Sequence, residues 1–255
     1  MSPFPDLPDP FDLLALEQAG STNDEARRLV DRGQARDLLV VTAKTQTAGR
    51  GRRGRTWVSP AGNLHASLLI RQSGPLARSA ELGFAAAAAL AAALAELVPA
   101  ADFRCKWPND VMVAGGAGNP NAKIAGMLLD GAGDGWLVLG LGVNVAAAPP
   151  PDQVMQPATA LAALGWSGGP EVVLAEFCRH FGPLLAAWRA EGFAPLRRAW
   201  LERALGLGET AMVRLETETL TGRFAALDDD GALVLDQGPA GRRRILAGDV
   251  FFPAS

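Results

Sequence analysis

Apolar and polar positions alternate along this chain in blocks that predict a regular succession of elements. A short apolar run at residues 11–16, after a proline-rich start, predicts a strand. Ser21-Thr22-Asn23 then opens a helix to about Arg32, with Thr22 and Glu25 in capping-box spacing and Gly33 as the stop. Residues 38–43 and 64–70 form apolar strands, separated by a basic loop, and 79–98 is the longest helix, ended by Pro99. Strands at 103–107 and 111–113 flank a Pro108-Asn109-Asp110 turn, and the glycine-rich stretch 114–122 marks a hairpin loop. Two further strands follow at 123–129 and 136–145, then a proline-rich segment at 149–157 and helices at 170–191 and 193–204. Beyond Gly206-Leu207-Gly208 the pattern shortens to runs at 211–215, 219–227, 232–236 and 243–246, with Asp228-Asp229-Asp230-Gly231 as a turn between two of them. That tail predicts a small all-β module docked on the main body, too small to be very stable alone. No internal repeat is visible.

Composition narrows the picture. With 255 residues and 49% hydrophobic content the chain can bury a full core. A net charge of −3 and a pI near 5.5 argue against a general nucleic-acid binder, which needs a broad basic face. Cys105 and Cys178 stand far apart with no partner at metal spacing, so neither a disulfide framework nor a zinc site is indicated, and buried thiols in a reducing compartment are expected. The N-terminal MSPFPDLPDPFDLL lacks the basic and apolar pattern of a secretory signal, which predicts a cytoplasmic protein with a short disordered lead. The alanine-rich stretch 84–98, interrupted by Glu96, is shorter than a membrane span and is expected to be a core helix.

The candidate chemistry is concentrated in KTQTAGRGRRGRTWVSP, residues 44–60. Arg50, Arg52, Arg53 and Arg55 are separated by Gly51 and Gly54 and preceded by Gly49, so guanidinium groups crowd a single point on a pliable backbone. Such a loop is built to close on an anion, through charge-assisted and often bidentate bonds. An RG-type nucleic-acid contact or a solvated basic loop fits these residues as well. Elsewhere, Ser21, Thr22 and Asn23 either cap a helix or face a pocket. Lys106-Trp107-Pro108-Asn109-Asp110 is either a site or a plain turn, and Lys123 is either solvated at a strand mouth or aimed at an anion. The glycines in Gly140-Leu141-Gly142-Val143-Asn144 mark close approach of a ligand or another backbone.

Taken in order, STN at 21–23, QTAGRGRRGRTWVSPAGNL at 46–64, KWPND at 106–110, KIAGMLL at 123–129 and GLGVNV at 140–145 resemble biotin protein ligase, over the whole chain. The resemblance implies an α+β fold: a central mixed sheet backed by helices, of the class II synthetase-like type, over residues 1–206, with a C-terminal SH3-like barrel over 207–255. It implies that biotin and Mg-ATP form biotinyl-5′-adenylate, and that a lysine of a biotin carboxyl carrier domain then takes the biotin. Carried over by position, Ser21, Thr22, Asn23 and Gln46 meet the ureido ring, while Gly49, Arg50, Gly51 and Arg52 cover the biotin carboxylate and the adenylate phosphate. Lys123 lies between carboxylate and α-phosphate and, with Arg52, carries the chemistry. Trp57 shelters the adenine, and Arg50, Arg53, Lys106, Asn109 and Asn144 lie near the nucleotide. Asp110 is expected near the metal or the incoming lysine, with Mg2+ carried by ATP and no dedicated protein cage. Arg242, Arg243 and Arg244 are left open as ATP contacts. Regulatory relatives carry a DNA-binding domain ahead of the catalytic core, and few residues precede Ser21, so no repressor activity, DNA partner or membrane partner is expected. A homodimer is the analogous assembly. Competing readings are a lipoate or octanoate ligase of the same superfamily and, in a different class, an RNA-binding protein using the GRGRRGR loop.

Overall fold

The structure, a computed structural model, describes residues 7–72, 76–115 and 120–252. Residues 1–6, within the expected disordered lead, and 116–119, within the expected hairpin loop, lie outside the described residues.

The main body is built on β1 (Asp12–Ala19), α1 (Thr22–Asp31), β2 (Leu39–Gln46), β3 (Leu64–Arg71), α2 (Glu81–Leu97), β4 (Phe103–Lys106), β5 (Asp110–Val113), β6 (Ala122–Gly131), β7 (Trp136–Val143), α3 (Pro170–Glu191) and α4 (Phe193–Leu201). The strands make one seven-stranded sheet in the order β1-β2-β3-β7-β6-β5-β4. Only the β1–β2 pair is parallel, so the sheet is mixed. Strand alternation sorts the side chains into two layers. Val40, Leu68, Ile70, Leu139 and Leu141 join the core beneath α2, α3 and α4, whereas Leu39, Val41, Leu69 and Val138 meet Ala26 of α1 on the opposite face.

Helix α2 is buried almost all round, as its alanine-rich sequence requires. By length and composition the helical stretch Arg78–Leu97 is apolar enough to cross a membrane, longer than the stretch read from sequence. Here it is packed between the sheet and the helices of its own fold. Gly33, at φ 65°, ends α1, its N–H bonded to Val30 O while the Gln34 N–H reaches Leu29 O. The expected capping box at the other end does not form: Ser21 is the N-cap and makes no side-chain cap bond, and Thr22 turns its hydroxyl to Gln46 instead.

The C-terminal module comprises β8 (Thr210–Arg214), β9 (Thr219–Leu227), β10 (Leu233–Asp236), β11 (Arg242–Ile245) and β12 (Asp249–Phe251), in an antiparallel five-stranded sheet ordered β11-β10-β9-β8-β12. The short strand β12 has too few alternating residues to be read from sequence. Phe84 packs edge-on to Trp200 with centroids 5.6 Å apart, and Trp200 to Phe224 at 6.4 Å, so one aromatic chain runs from α2 through α4 into β9. Truncating Trp200, which is fully buried, would cost about 3–5 kcal/mol and loosen both sheets together. Backbone bonds from Cys105 N–H to Arg203 O (2.7 Å) and from Leu205 N–H to Cys105 O (2.8 Å) cover the outer edge of β4 at its centre. The Trp107 indole, buried, donates to Gly231 O at 3.0 Å.

Candidate functional site

The cavity of about 440 Å3 lies on the α1 face of the sheet and takes its floor from glycines. Gly126 of β6 and Gly142 of β7 are register partners, and Gly140 stands opposite Ser67 of β3. A β-carbon on Gly142 would lie 2.5 Å from the Trp57 ring, and one on Gly140 would lie 2.4 Å from Asn23 Oδ1. These strand glycines therefore serve the close approach that their pattern predicts, to an indole and a carboxamide.

One end of the cavity is neutral and hydrogen-bonding. Gln46 Oε1 accepts from the Thr22 N–H at 2.8 Å and from Thr22 Oγ1 at 3.1 Å, while Gln46 Nε2 donates to Ser59 Oγ at 3.0 Å. Ser67 Oγ lies 2.7 Å from Thr22 Oγ1 and 2.5 Å from Asn23 Oδ1, and Asn23 Nδ2 lies 3.4 Å from Asp130 Oδ2. Ser21, Thr22, Asn23 and Ser67 are all buried, so this set of donors and acceptors is held rigidly.

The other end is charged. Arg50 Nη2 binds Asp24, Arg52 Nη1 donates to Asn109 Oδ1 at 2.9 Å, and Arg53 and Arg55 share Asp249 Oδ2 of β12 at 3.3 and 2.5 Å. The four guanidinium groups thus do not converge on one point, as their spacing in sequence suggests. They divide among three counter-groups, Asp24, Asn109 and Asp249, and Arg53, at φ 54° within the short 3-10 turn Arg52–Gly54, helps to fan them out. Exposed ion pairs of this kind contribute about 1 kcal/mol or less, so they hold the loop lightly. Burial, followed by the charge of Arg53, holds the Arg52 guanidinium below its ordinary pKa against the opposing Asp110 and Asp249 charges. For Asp249 burial acts upward, but the Arg55 hydrogen bond and the charges of Arg55, Arg53 and Arg52 outweigh it and depress the carboxyl pKa.

Lys123, at the start of β6, is paired with Asp110 Oδ1 at 2.6 Å and stands 5.5 Å above the Trp57 ring, inside the cavity rather than in solvent. Lys106 is 7% exposed and lies 5.4 Å from the Phe251 ring; burial lowers its pKa, with Asp110 and Lys123 pulling in opposite directions. All of KWPND lines the cavity, and Trp107 in addition ties the two sheets through its indole N–H. Asn109 Nδ2 is bonded to Met127 O at 2.5 Å. Asn144 is buried and donates to Thr159 O at 3.0 Å, and its Oδ1 has no hydrogen-bond partner among the described residues, nor has Trp57 Nε1.

Every site residue expected from sequence lines this cavity except Gly49, which lies beneath it, where a β-carbon would meet Trp57 O at 2.5 Å and Ser59 Oγ at 2.6 Å. Arg242, Arg243 and Arg244 do not line it: they pair with Asp236, Glu218, Asp228 and Asp230 on the far edge of the module. The module's contribution comes instead from residues 248–251. Cys105 and Cys178 are buried, which pushes each thiol up to about 12, and neither lines the cavity.

The sequence profile of the Biotin/lipoate A/B protein ligase family matches residues 16–142, and that of the biotin protein ligase C terminal domain matches residues 206–252. A biotin–acetyl-CoA-carboxylase ligase of Paracoccus denitrificans is 43% identical over 93% of this chain and 99% of its own length. This chain belongs to the biotin protein ligase family. Another member, the bifunctional ligase/repressor BirA of Escherichia coli, is 29% identical over 91% of this chain and 76% of its own length. Among solved structures, the biotin protein ligase of Aquifex aeolicus in complex with biotin and ATP superposes with a TM-score of 0.79, at 25% identity, covering 96% of this chain and 99% of that one. Its fold is the mixed sheet backed by helices with a small C-terminal β module described above, as expected for a biotin protein ligase.

Several cavity residues escape a motif reading even with the family in view. Gly126 in KIAGMLL has no glycine neighbour, Gln156 lies in the proline-rich segment read only as a connection, Asp249 lies in the short strand β12, and Ser67, which stands behind the lining and bonds Thr22 and Asn23, sits in an ordinary apolar strand. The one usable signal is a serine at the centre of an otherwise apolar strand, since a buried hydroxyl needs a partner.

Proposed function

We propose that this protein is a biotin protein ligase, which joins biotin to ATP and passes it to a lysine of a biotin carboxyl carrier domain. The observation that carries the reading is a single cavity with a rigid neutral hydrogen-bonding end and a cationic end. A ureido ring needs neutral donors and acceptors, and a carboxylate meeting a phosphate needs cations between them. We assign Ser21, Thr22, Asn23 and Gln46 to the ureido ring, and Arg50, Gly51, Arg52 and Lys123 to the carboxylate and α-phosphate. Trp57, Asn109 and Asn144 are assigned to the adenosine side, with Arg53 and Lys106 near the phosphates. The unpartnered Asn144 Oδ1 supports a ligand there.

In the first step a biotin carboxylate oxygen attacks the α-phosphorus and the bond to pyrophosphate breaks. Lys123 neutralises the two approaching anions, which is worth most in a cavity that excludes water. The weak pairs holding Arg50, Arg52, Arg53 and Arg55 are exchanged for charge-assisted bonds to substrate, each worth about 1.5–3 kcal/mol, so binding orders the loop over the adenylate. In the second step the acceptor lysine attacks the acyl carbon, AMP leaves and one proton is released. Asp110 is the cavity carboxylate assigned to face the incoming amine or Mg2+. The donor set fits an ion that keeps its water and arrives with ATP, because Mg2+ in such sites takes one or two carboxylates plus substrate phosphates. When bound, it would shield the charge on the phosphates.

We further propose a catalytic unit over residues 1–206 and an SH3-like unit over 207–255, a cytoplasmic location and a homodimer. The test is to incubate the protein with Mg-ATP and either biotin or lipoate and identify the bound acyl-adenylate by mass spectrometry. Biotinyl-5′-AMP formed only with biotin is expected. Lipoyl-AMP would overturn the substrate, and no adenylate from either acid would overturn the reaction.

A further inference from the structure

The proposed reaction uses Lys106, Asp110 and Lys123, which leaves two ammonium groups competing for one carboxylate. Asp110 divides its oxygens: Oδ1 lies 2.6 Å from Lys123 Nζ, and Oδ2 accepts from Gln156 Nε2 at 3.3 Å. Gln156 Oε1 in turn accepts from Lys106 Nζ. One neutral amide thus turns its oxygen to the cation and its NH2 to the anion, in the only orientation that satisfies both. Gln156 is itself held in place, because the next residue, Pro157, accepts the Lys123 backbone N–H at 2.7 Å and Thr159 N–H returns a bond to Lys123 O at 2.9 Å. Lys106 is buried, so it cannot exchange the amide oxygen freely for water.

From this chain of contacts, and resting on the ligase reading above, we infer that Gln156 is a positioning residue: its amide keeps Lys106 off Asp110, so that the carboxylate stays on Lys123 and each lysine is held in a separate place to meet substrate anions. An amide does this at any pH, which no other side chain of this length can. Methionine fills the space but offers neither donor nor acceptor. Ionised glutamate repels Asp110 and captures Lys106, whereas protonated glutamate restores the pattern, its O–H donating to Asp110 and its carbonyl accepting from Lys106.

The experiment compares Gln156→Met and Gln156→Glu with the parent, after thermal melting has established that each variant folds. With Gln156→Met, adenylate formation at saturating biotin and ATP should slow by about tenfold or more, with the biotin KM changed by less than about threefold. With Gln156→Glu, the rate relative to the parent should recover as pH falls through the carboxyl range, a signature that lost packing alone does not produce. A crystal structure of Gln156→Met should place Lys106 Nζ on Asp110 and lengthen the Lys123–Asp110 contact. An unchanged rate in Gln156→Met, a Gln156→Glu profile parallel to the parent's, or lysines unmoved in the crystal would each overturn the inference. A parent that forms no biotinyl adenylate would overturn the ligase reading instead, and the crystal structure would still decide the role of Gln156.

Discussion

Replacing Gly140 by alanine tests the neutral end of the cavity with a single methyl group. The new β-carbon would lie 2.4 Å from Asn23 Oδ1 and 3.1 Å from Asn23 Cγ and Nδ2. An ordinary contact is about 3.5 Å or more, so the carboxamide must move by roughly 1 Å. Asn23 is buried and tied to Ser67 at 2.5 Å, so the movement breaks that bond rather than sliding into solvent. Overpacking of this size costs about 1–3 kcal/mol of fold stability. If Asn23 serves the ureido ring, biotin loses a bond to a buried group, about 1–3 kcal/mol, or about fivefold to 150-fold in Kd. Titration calorimetry with biotin measures this directly, with thermal melting as the check on folding. Gly131→Ala, where the added carbon meets nothing within 4 Å, is the control. The ATP KM should stay within about twofold, since the nearest atoms to the added methyl all belong to Asn23 and none to a loop arginine. A folded Gly140→Ala protein that binds biotin as tightly as the parent would refute the assignment of Asn23.

Three other outcomes follow from the charged end. Lys123→Gln should slow adenylate formation by about 100-fold or more while leaving biotin binding within about tenfold, measured by single-turnover release of pyrophosphate. Arg52→Ala should still make the adenylate but release it, so that biotinyl-5′-AMP appears free in the filtrate; retention equal to the parent's would contradict the lid role. Burial lowers the Lys106 pKa, so its ammonium, present below that pKa, is lost at a lower pH than an ordinary lysine's. The ATP KM should therefore rise on the alkaline side, and Lys106→Arg should flatten that rise in a pH-dependent initial-rate series.

Long periodic segments were legible: α2 and α3, the buried strands β3 and β7, and the change to short strands after Gly208 all follow from hydrophobic spacing. Local sequence misled where tertiary partners compete with it. Thr22 has capping-box spacing, yet its hydroxyl serves Gln46, because the half-buried amide across the turn offers the buried Thr22 side chain a sheltered bond. The arginine loop looked convergent because sequence shows spacing but not the carboxylates of Asp24 and Asp249, and Asp249 lies far along the chain. The same distance hid Ser67, Gln156 and Asp249: strand order brings Ser67 to Thr22 and Asn23 and Asp249 to Arg53 and Arg55, and Gln156 reaches Lys106 and Asp110 from a connecting segment, pairings that no local window contains.

The covering of β4 by residues 203–205 limits how copies of this protein can join. Of the two outer strands in the large sheet, one has its central backbone groups already occupied by its own chain, and only β1 is left without a neighbour on its far side among the described residues. Growth of the sheet from molecule to molecule therefore has a single docking edge, which permits a closed pair and blocks an open-ended fibre.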